Sequence, residues 1–325
     1  MKILVTGGCG FIGSHLCLHL LAERHNVICL DRCINRMMPQ AQAILNHPQC
    51  KVIQHDVKDP IDIDADLIYH LACPASPSDY QRDPVDTFET VVLGTLNMLK
   101  LARKRKIALL QASTSEIYGT PEEHPQTEAY WGNVNPIGVR SCYNESKRAA
   151  ESLCMDFHRK YQVDARIIRI FNTYGPYMRH DDGRVVTNFI RSTLLNEELV
   201  IYGEGSQTRS FQYIDDLIRG MTSLMALKDP YPFPVNLGNP AETTILNLAK
   251  IIIALTQSKS QLKFTAPSED DPNRRKPDIS RAKKLLGWEP QVQLEEGLKK
   301  TIFYYHCLLN GEDSHASILS HHSHS

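Results

Sequence analysis

The chain has 325 residues, a length that predicts either two modules or one large α/β body with a smaller cap. Hydrophobic residues make up 42% of it and charged residues 22%, which is typical of a soluble globular protein. The net charge of −1 gives no basic field for nucleic acid, and no apolar run reaches the length of a membrane span. We therefore expect neither a nucleic-acid partner nor a membrane partner.

The nine cysteines are odd in number, form no C-x-x-C pair and fall partly within apolar runs. This pattern indicates reduced, buried thiols. The N-terminus is too rich in glycine for a signal peptide. We expect a cytoplasmic protein without a metal site.

The N-terminal segment has the order of strand, glycine turn and helix. The apolar run Lys2–Thr6 precedes a helical pattern and is separated from it by Gly7, Gly10 and Gly13. Glycines let the backbone turn sharply and approach a pyrophosphate without a Cβ clash, and the N–H groups of the helix start attract the anion. The segment predicts a dinucleotide-binding turn.

A second apolar run ends at Asp31, about twenty residues past the glycines. A carboxylate at this point can accept hydrogen bonds from an adenosine ribose. Because the same carboxylate would repel a ribose phosphate, the position favours NAD over NADP. Arg32 and Arg36 leave that choice open.

Further apolar runs, at 50–55, 67–72, 107–110 and 164–171, alternate with helical patterns, of which the longest covers 84–106. The alternation predicts a doubly wound parallel sheet, the Rossmann type of α/β fold, with ligands at the strand ends. Asp56 and Val57 end one of these runs, at a position suited to the adenine.

Tyr143 and Lys147 stand four residues apart at the start of a helix, so they share a face. A neighbouring cation favours the phenolate, and a base that works near neutral pH needs that shift. Thr114, Ser115 and Glu116 follow the run at 107–110 and add hydroxyls and a carboxylate. The Tyr-x-x-x-Lys pattern alone is a weak signal, because a surface pair on a helix is the alternative.

Beyond residue 173, glycine loops and polar turns replace the regular alternation. Arg184 and Arg209 lie in such loops, where they are either diphosphate ligands or ordinary surface arginines, since guanidinium binds phosphate in a planar fork. Asp278 is predicted to cap a helix that ends at Gly287.

We divide the chain into a Rossmann domain and a smaller C-terminal α/β substrate-binding domain. The first covers residues 1–173 plus about 211–236, and the second covers about 174–210 plus 237–310. The Ser/His-rich tail at 311–325 is expected to be disordered.

Four motifs occur in an order that resembles the extended short-chain dehydrogenase/reductases that act on nucleotide sugars, namely Thr6–Ser14, Ser113–Gly119, Tyr143 with Lys147, and Arg169–Pro176. Finer motifs look like those of UDP-glucuronic acid decarboxylases, also called UDP-xylose synthases, namely His70–Pro77, Tyr130–Gly138, Asp182–Val186, Gln207–Gln212 and Arg275–Ile279. The resemblance covers residues 1 to about 307. It implies a tightly held NAD, a UDP-sugar in the cleft and a homodimer.

The resemblance also implies a reaction sequence. Tyr143 takes the proton from the sugar 4-hydroxyl while C4 passes hydride to the nicotinamide, and Lys147 favours the phenolate and holds the ribose. Thr114 or Ser115 hydrogen-bonds the 4-oxygen. The oxidised sugar is a β-keto acid that loses carbon dioxide, and the stored hydride then returns to C4 to give UDP-xylose.

The binding residues follow from the same resemblance. Arg275 orients the C6 carboxylate, and Glu116 assists its departure or handles a proton. The predicted cofactor set is Gly7, Gly10, Phe11, Ile12, Gly13, Asp31, Asp56, Val57, Leu71, Tyr143, Lys147 and Thr173. The predicted substrate set is Tyr80, Asn172, Arg184, Val186, Tyr202, Arg209 and Arg275.

Val91 and Tyr177 stand where the family usually has asparagine and arginine, which leaves a related sugar open. The alternative is a dehydratase or 4-epimerase acting on a UDP-hexose or a UDP-N-acetylhexosamine. Relatives that are 4,6-dehydratases have an acid at the position of Ser115, and an epimerase has no carboxylate for Arg275 to orient. A binding protein without turnover is a third reading, and the intact Tyr–Lys pair argues against it.

Overall fold

A computed structural model describes residues 1–33, 41–266 and 274–311. Arg36 and the tail from residue 312 onward, predicted to be disordered, lie outside the described residues. The strands are β1 Lys2–Thr6, β2 Asn26–Asp31, β3 Cys50–Gln54, β4 Leu67–His70, β5 Ala108–Thr114, β6 Ala165–Ile170, β7 Thr173–Tyr174, β8 Leu199–Tyr202, β9 Thr208–Ser210, β10 Gln212–Tyr213, β11 Pro234–Leu237, β12 Glu242–Thr244, β13 Leu262–Thr265 and β14 Arg274–Arg275. The helices are α1 Phe11–Ala22, α2 Ala41–Leu45, α3 Pro77–Tyr80, α4 Pro84–Arg105, α5 Ser141–Tyr161, α6 Val185–Leu194, α7 Ile214–Met225, α8 Ile245–Thr256, α9 Ser280–Leu286 and α10 Leu294–Asn310.

The main sheet has seven parallel strands in the order β11-β6-β5-β4-β1-β2-β3. The chain runs outward from β1 to β3 and then returns to β4 on the other side of β1. A doubly wound sheet binds its ligand at such a reversal, outside the carboxyl ends of the strands. The predicted Rossmann fold is confirmed, and the reversal lies between the glycine turn after β1 and the loop after β4.

Each face of this sheet packs into its own hydrophobic core. Side chains of a strand alternate between faces, so Ile3 and Val5 enter the core formed with α1 and α7, whereas Leu4 enters the core formed with α4 and α5. The long helix predicted for 84–106 is α4, and its apolar residues Met98 and Leu99 are fully buried. Helices on both faces hold the strand ends in fixed positions.

Smaller sheets follow in the C-terminal part of the chain, where β9 pairs with β12 and β14, β8 with β13, and β7 with β10. Helices α6, α8 and α10 pack against one another beside them. Strand β11 instead joins the main sheet. The predicted division into two domains stays a prediction.

One predicted helix cap differs in detail. Helix α9 begins at Ser280, and its N-cap residue is Ile279, which makes no capping bond through its side chain. Asp278 lies one residue earlier and accepts a hydrogen bond from the Ser280 N–H at 2.9 Å. The helix ends before Gly287, as predicted, because that glycine takes the left-handed conformation with φ of 60°.

All nine cysteines lie in the described ranges, and each is a free thiol. Within those ranges every helix is too short or too polar to cross a bilayer. The same residues contain no cluster of three or more histidine, cysteine, aspartate or glutamate side chains arranged to hold a metal ion.

Candidate active site

A cavity of about 690 Å³ opens at the carboxyl ends of the main-sheet strands. Predicted site residues from nine separate stretches of the chain line it. They are Gly7, Gly10, Phe11, Ile12, Gly13, Asp31, Asp56, Val57, Leu71, Tyr80, Thr114, Ser115, Glu116, Tyr143, Lys147, Asn172, Thr173 and Arg184.

The glycine turn places the start of α1 directly against the cavity. Gly7 has a left-handed φ of 69°, and a Cβ at Gly13 would clash with the Gly7 carbonyl and lie 2.8 Å from the Gly8 Cα. Gly10 caps the helix without a side chain, so the first N–H groups of α1 face a ligand unobstructed. This arrangement fits a pyrophosphate.

Asp31 is at the end of β2, across the turn. Its carboxylate accepts hydrogen bonds from the Cys9 N–H at 3.1 Å and from the Cys33 N–H at 2.9 Å. A carboxylate has about four acceptor sites, so two remain for ribose hydroxyls. Together with the glycine turn, Asp31 fits the nucleotide half of NAD.

Tyr143 and Lys147 both line the cavity, near the start of α5. The Lys147 ammonium donates to the Ala112 carbonyl at 2.8 Å and lies 5.8 Å from the centre of the Tyr143 ring. On its other side the Tyr143 ring stacks on Tyr80, with centroids 5.1 Å apart and planes within 7°. The helix therefore brings the pair together as predicted, and both side chains are almost fully buried.

The prediction that Tyr143 has a lowered pKa is wrong when only the protein's own groups act on the phenol. Burial raises the pKa of the Tyr143 phenol well above its usual value, and the hydrogen bond with Thr114 opposes this only in part. The Lys147 ammonium is directed at the Ala112 carbonyl rather than at the phenol oxygen. A phenolate at this position needs further positive charge.

Glu116 lies between two arginines in the 3-10 turn that follows β5. Arg275 Nη1 pairs with one carboxylate oxygen, and Arg140 Nη2 lies 2.9 Å from the other. Burial opposes ionisation, but the Arg275 and Arg140 guanidinium groups outweigh it and hold the pKa of the Glu116 carboxyl below its usual value. Glu116 is therefore ionised, and its two arginines leave this group of three side chains with one surplus positive charge.

Sequence reasoning missed Arg140. This residue is the N-cap of α5 and lines the cavity, and its Nε donates to the Tyr80 hydroxyl at 3.1 Å. Its position three residues before Tyr143 was the available signal, because about one helical turn separates the two side chains.

The mouth of the cavity carries more arginine–carboxylate pairs. Arg184 Nε lies 2.9 Å from Asp182, and Arg179 lies 2.7 Å from Asp181 and 3.4 Å from Asp79. Arg184 is also the N-cap of α6, and it lines the cavity. Its diphosphate role stays a prediction.

Four predicted substrate residues do not line the cavity. Arg275 is 2% exposed and lies behind Glu116, where its second terminal nitrogen donates to the Gly119 carbonyl at 3.3 Å. Tyr202 is 55% exposed on β8, while Val186 and Arg209 are buried. Their roles stay predictions.

The two departures from the family pattern have different surroundings. Val91 is buried inside α4 and does not line the cavity. Tyr177 does line it, with a positive φ of 69° and its ring 4.7 Å from that of Tyr304. The departure at Tyr177 is therefore the one that can affect a ligand.

Comparison with known proteins identifies the family. A family model described as GDP-mannose 4,6 dehydratase matches residues 4–301. The chain belongs to this family. The resemblance to nucleotide-sugar enzymes is thereby confirmed at the level of the family, whose members include NAD-dependent epimerases and dehydratases.

Similar relatives within the family are decarboxylases and an epimerase. UDP-glucuronic acid decarboxylase 4 of Arabidopsis thaliana is 53% identical over 298 residues, which cover 92% of this chain and 67% of the relative. UDP-glucuronic acid decarboxylase 1 of Danio rerio is 51% identical over 304 residues, which cover 94% of this chain and 72% of the relative. The chain thus spans roughly two thirds of the length of these relatives. A solved structure of UDP-glucuronic acid 4-epimerase from Bacillus cereus with UDP-glucuronic acid and NAD has a TM-score of 0.85 and 29% identity, covering 95% of this chain and 100% of that one.

Proposed function

We propose that the chain is an NAD-dependent carboxy-lyase that converts UDP-glucuronate to UDP-xylose through a 4-keto intermediate. The observation that carries the proposal is Glu116 held between Arg140 and Arg275, beside Tyr143. Two guanidinium groups against one carboxylate leave a surplus positive charge, which suits a substrate carboxylate and has no use with a neutral sugar. Relatives more than 50% identical that are named UDP-glucuronic acid decarboxylases support the same reaction.

The oxidation step belongs to Tyr143 and its neighbours. A bound NAD would accept the hydride of C4 at its nicotinamide and would supply a positive charge that favours the phenolate. Tyr143 removes the proton of the 4-hydroxyl, and Lys147 adds its charge from the next turn of α5. The hydroxyls of Thr114 and Ser115, which line the cavity at the end of β5, hold the 4-oxygen in place.

Decarboxylation then needs no nucleophile. The ketone at C4 makes the C6 carboxylate a β-keto acid, so the electron pair of the C5–C6 bond passes into an enolate as carbon dioxide leaves. The hydroxyls of Thr114 and Ser115 stabilise the enolate oxygen. The ionised Glu116 repels the substrate carboxylate and so favours its loss as a neutral molecule. A proton then adds to C5, and Tyr143 returns its proton to the 4-oxygen, with the hydride that the reduced cofactor would give back to C4.

A dehydratase or 4-epimerase acting on a UDP-hexose or UDP-N-acetylhexosamine is the second candidate. The observation that favours it is Tyr177, which lines the cavity where the resemblance leads us to expect an arginine. Ser115 disfavours the dehydratase, because a hydroxyl at this position is a poor acid for a departing 6-hydroxyl.

The proposal also covers the domains of the enzyme, its oligomeric state and its location. Its cofactor and sugar nucleotide are held by two domains, divided as the sequence predicts. The enzyme is a homodimer, and its location is the cytoplasm, which is supported by the nine free thiols.

The first test is proton NMR of the purified chain with UDP-glucuronate and NAD. We expect the anomeric signal of UDP-xylose to replace that of UDP-glucuronate. A parallel tube holds UDP-N-acetylglucosamine, and conversion of that sugar alone would establish the second candidate instead.

Tyr143→Phe should reduce turnover by about 100-fold or more, since general base catalysis contributes that much. Tyr161→Phe, on the other end of the same helix, is the matched control and should retain full turnover.

A further inference from the structure

Four charged side chains form a cluster at the adenosine end of the cavity. They come from the ends of β2 and β3 and from the first turn of α4, and the adenosine-end cluster comprises Arg32, Asp56, Lys58 and Asp86. Arg32 binds Asp86 through both terminal nitrogens, at 2.7 and 3.1 Å, and reaches Asp56 at 3.4 Å. Lys58 donates to the same Asp86 carboxylate at 2.7 Å.

Asp86 is the centre of this cluster. Its carboxylate accepts from both cations, and hydrogen bonding to Arg32 lowers the pKa of Asp86 to about 2 despite partial burial. Asp86 therefore stays ionised across the physiological pH range. The side chains of Arg32, Lys58 and Asp86 are each between 23% and 34% exposed, so water weakens the pairs only in part.

The cluster lies next to the residue that receives the adenosine ribose. Arg32 follows Asp31 directly, and Arg32, Asp56 and Asp86 all line the cavity with Asp31. A ribose 2′-phosphate here would need a guanidinium or ammonium partner, and it would also meet three carboxylates. Both described cations of the cluster are already engaged by Asp86.

We propose that Asp86 sets the preference for NAD over NADP by binding Arg32 and Lys58. The cations that would otherwise recruit a 2′-phosphate are held in ion pairs, and their charge is balanced by Asp86 and Asp56. Asp31 then favours NAD by binding the ribose hydroxyls, while Asp86 disfavours NADP by keeping Arg32 and Lys58 in ion pairs. This inference rests on the proposed function, because it requires that the cavity binds a dinucleotide.

The test is the affinity of the full chain for ADP and for adenosine 2′,5′-bisphosphate, measured by isothermal titration calorimetry. The wild-type protein should favour ADP. Asp86→Asn keeps the shape of the side chain and removes its charge, so the ratio of bisphosphate affinity to ADP affinity should rise about 10- to 100-fold, as expected for one freed guanidinium–phosphate interaction. The NADP-to-NAD ratio of dinucleotide extracted from the purified variant should rise with it.

A matched control separates this effect from a general change of charge. Asp62 also bridges two cations, Lys104 at 2.8 Å and Arg105 at 2.7 Å, but none of these three residues lines the cavity. Asp62→Asn should leave the affinity ratio unchanged. Combining Arg32→Ala with Asp86→Asn should remove most of the gain, because Arg32 is the group that is released.

Three results would overturn the proposal. An unchanged ratio in Asp86→Asn, with ADP still bound, would reject the role of Asp86 and leave the proposed function standing. An equal rise of the affinity ratio in Asp62→Asn would show that the effect comes from the change of net charge and not from the release of Arg32. A wild-type protein that binds neither ADP nor NAD would reject the cofactor site and the proposed function with it.

Discussion

At the scale of single residues, Arg140 connects the carboxylate and the base of the proposed chemistry, Glu116 and Tyr143. Its Nη2 pairs with Glu116, and its Nε donates to Tyr80, which stacks on the Tyr143 ring. Two nitrogens of one planar guanidinium thus face two different partners, a geometry that the ammonium of a lysine cannot reproduce. Arg140 is therefore placed to position both the carboxylate and the base.

Arg140→Gln should lower kcat/KM for UDP-glucuronate by about 10- to 100-fold, the loss expected for one charged hydrogen bond. It should also change the pH profile. Arg140 is one of the cations that lower the pKa of Glu116, so its removal raises that pKa. Because the reaction needs ionised Glu116, the acidic limb of the kcat/KM profile should move to higher pH.

The control for this variant is Arg159→Gln, near the exposed end of the same helix, where the arginine pairs only at the surface with Asp156. It should change neither kcat/KM nor the profile. In Arg140→Lys, the acidic limb should return close to its wild-type pH, while kcat/KM should recover less completely. A profile that does not move in Arg140→Gln would contradict the link between Arg140 and Glu116.

Local patterns explain which site residues could be predicted from the sequence. The glycine turn, Asp31 and the Tyr143–Lys147 pair depend on spacings of a few residues or on one strand–turn–helix unit, so the sequence shows them directly. The pairs of Arg32 with Asp86 and of Arg140 with Glu116 cannot be read from spacing. Their members are 54 and 24 residues apart, and only the winding of the sheet brings them together.

At the scale of elements, α7 fixes the C-terminal part of the chain to the main sheet. Asp215 and Asp216 lie in its first turn, where the helix dipole favours a carboxylate. The structure gives Asp216 a second role, because its carboxylate accepts the N–H groups of Gln291 and Val292, each at 3.0 Å. Its backbone carbonyl accepts the Trp288 indole N–H at 2.9 Å. The first turn of α7 thus holds the segment that leads into α10.

Asp216→Ala should lower the free energy of unfolding by about 3 kcal/mol, since it leaves two N–H groups of a partly buried segment without acceptors. Urea denaturation followed by circular dichroism measures this change. Glu289→Ala, in the same segment but paired with Lys283 at the surface, is the control and should unfold at the wild-type urea concentration. Equal midpoints for Asp216→Ala and wild type would show that Asp216 does not hold this segment.

At the scale of the whole molecule, α4 and α5 together present an apolar stripe. On α4 it comprises Phe88, Val92 and Leu96, and on α5 Ala149, Leu153 and Phe157, so both helices repeat it every four residues. Phe88 is 41% exposed, and the other five side chains are half-buried although α4 and α5 already pack on each other. A second copy of the chain would cover this stripe, which supports the proposed homodimer.

The homodimer gives the last prediction. Light scattering should show a particle of twice the 36.8 kDa chain mass. Stable interfaces bury about 1,200–2,000 Å² in total, and the stripe would form the apolar centre of such an interface. Phe88→Glu should shift the particle toward the monomer, since it buries an unpaired charge at that interface. Phe303→Glu is the matched control, because Phe303 is also a helical phenylalanine, is 42% exposed, and lies on α10 away from the stripe. A dimer that persists in Phe88→Glu but dissociates in Phe303→Glu would place the interface on α10 instead, and a monomeric wild type would reject the homodimer.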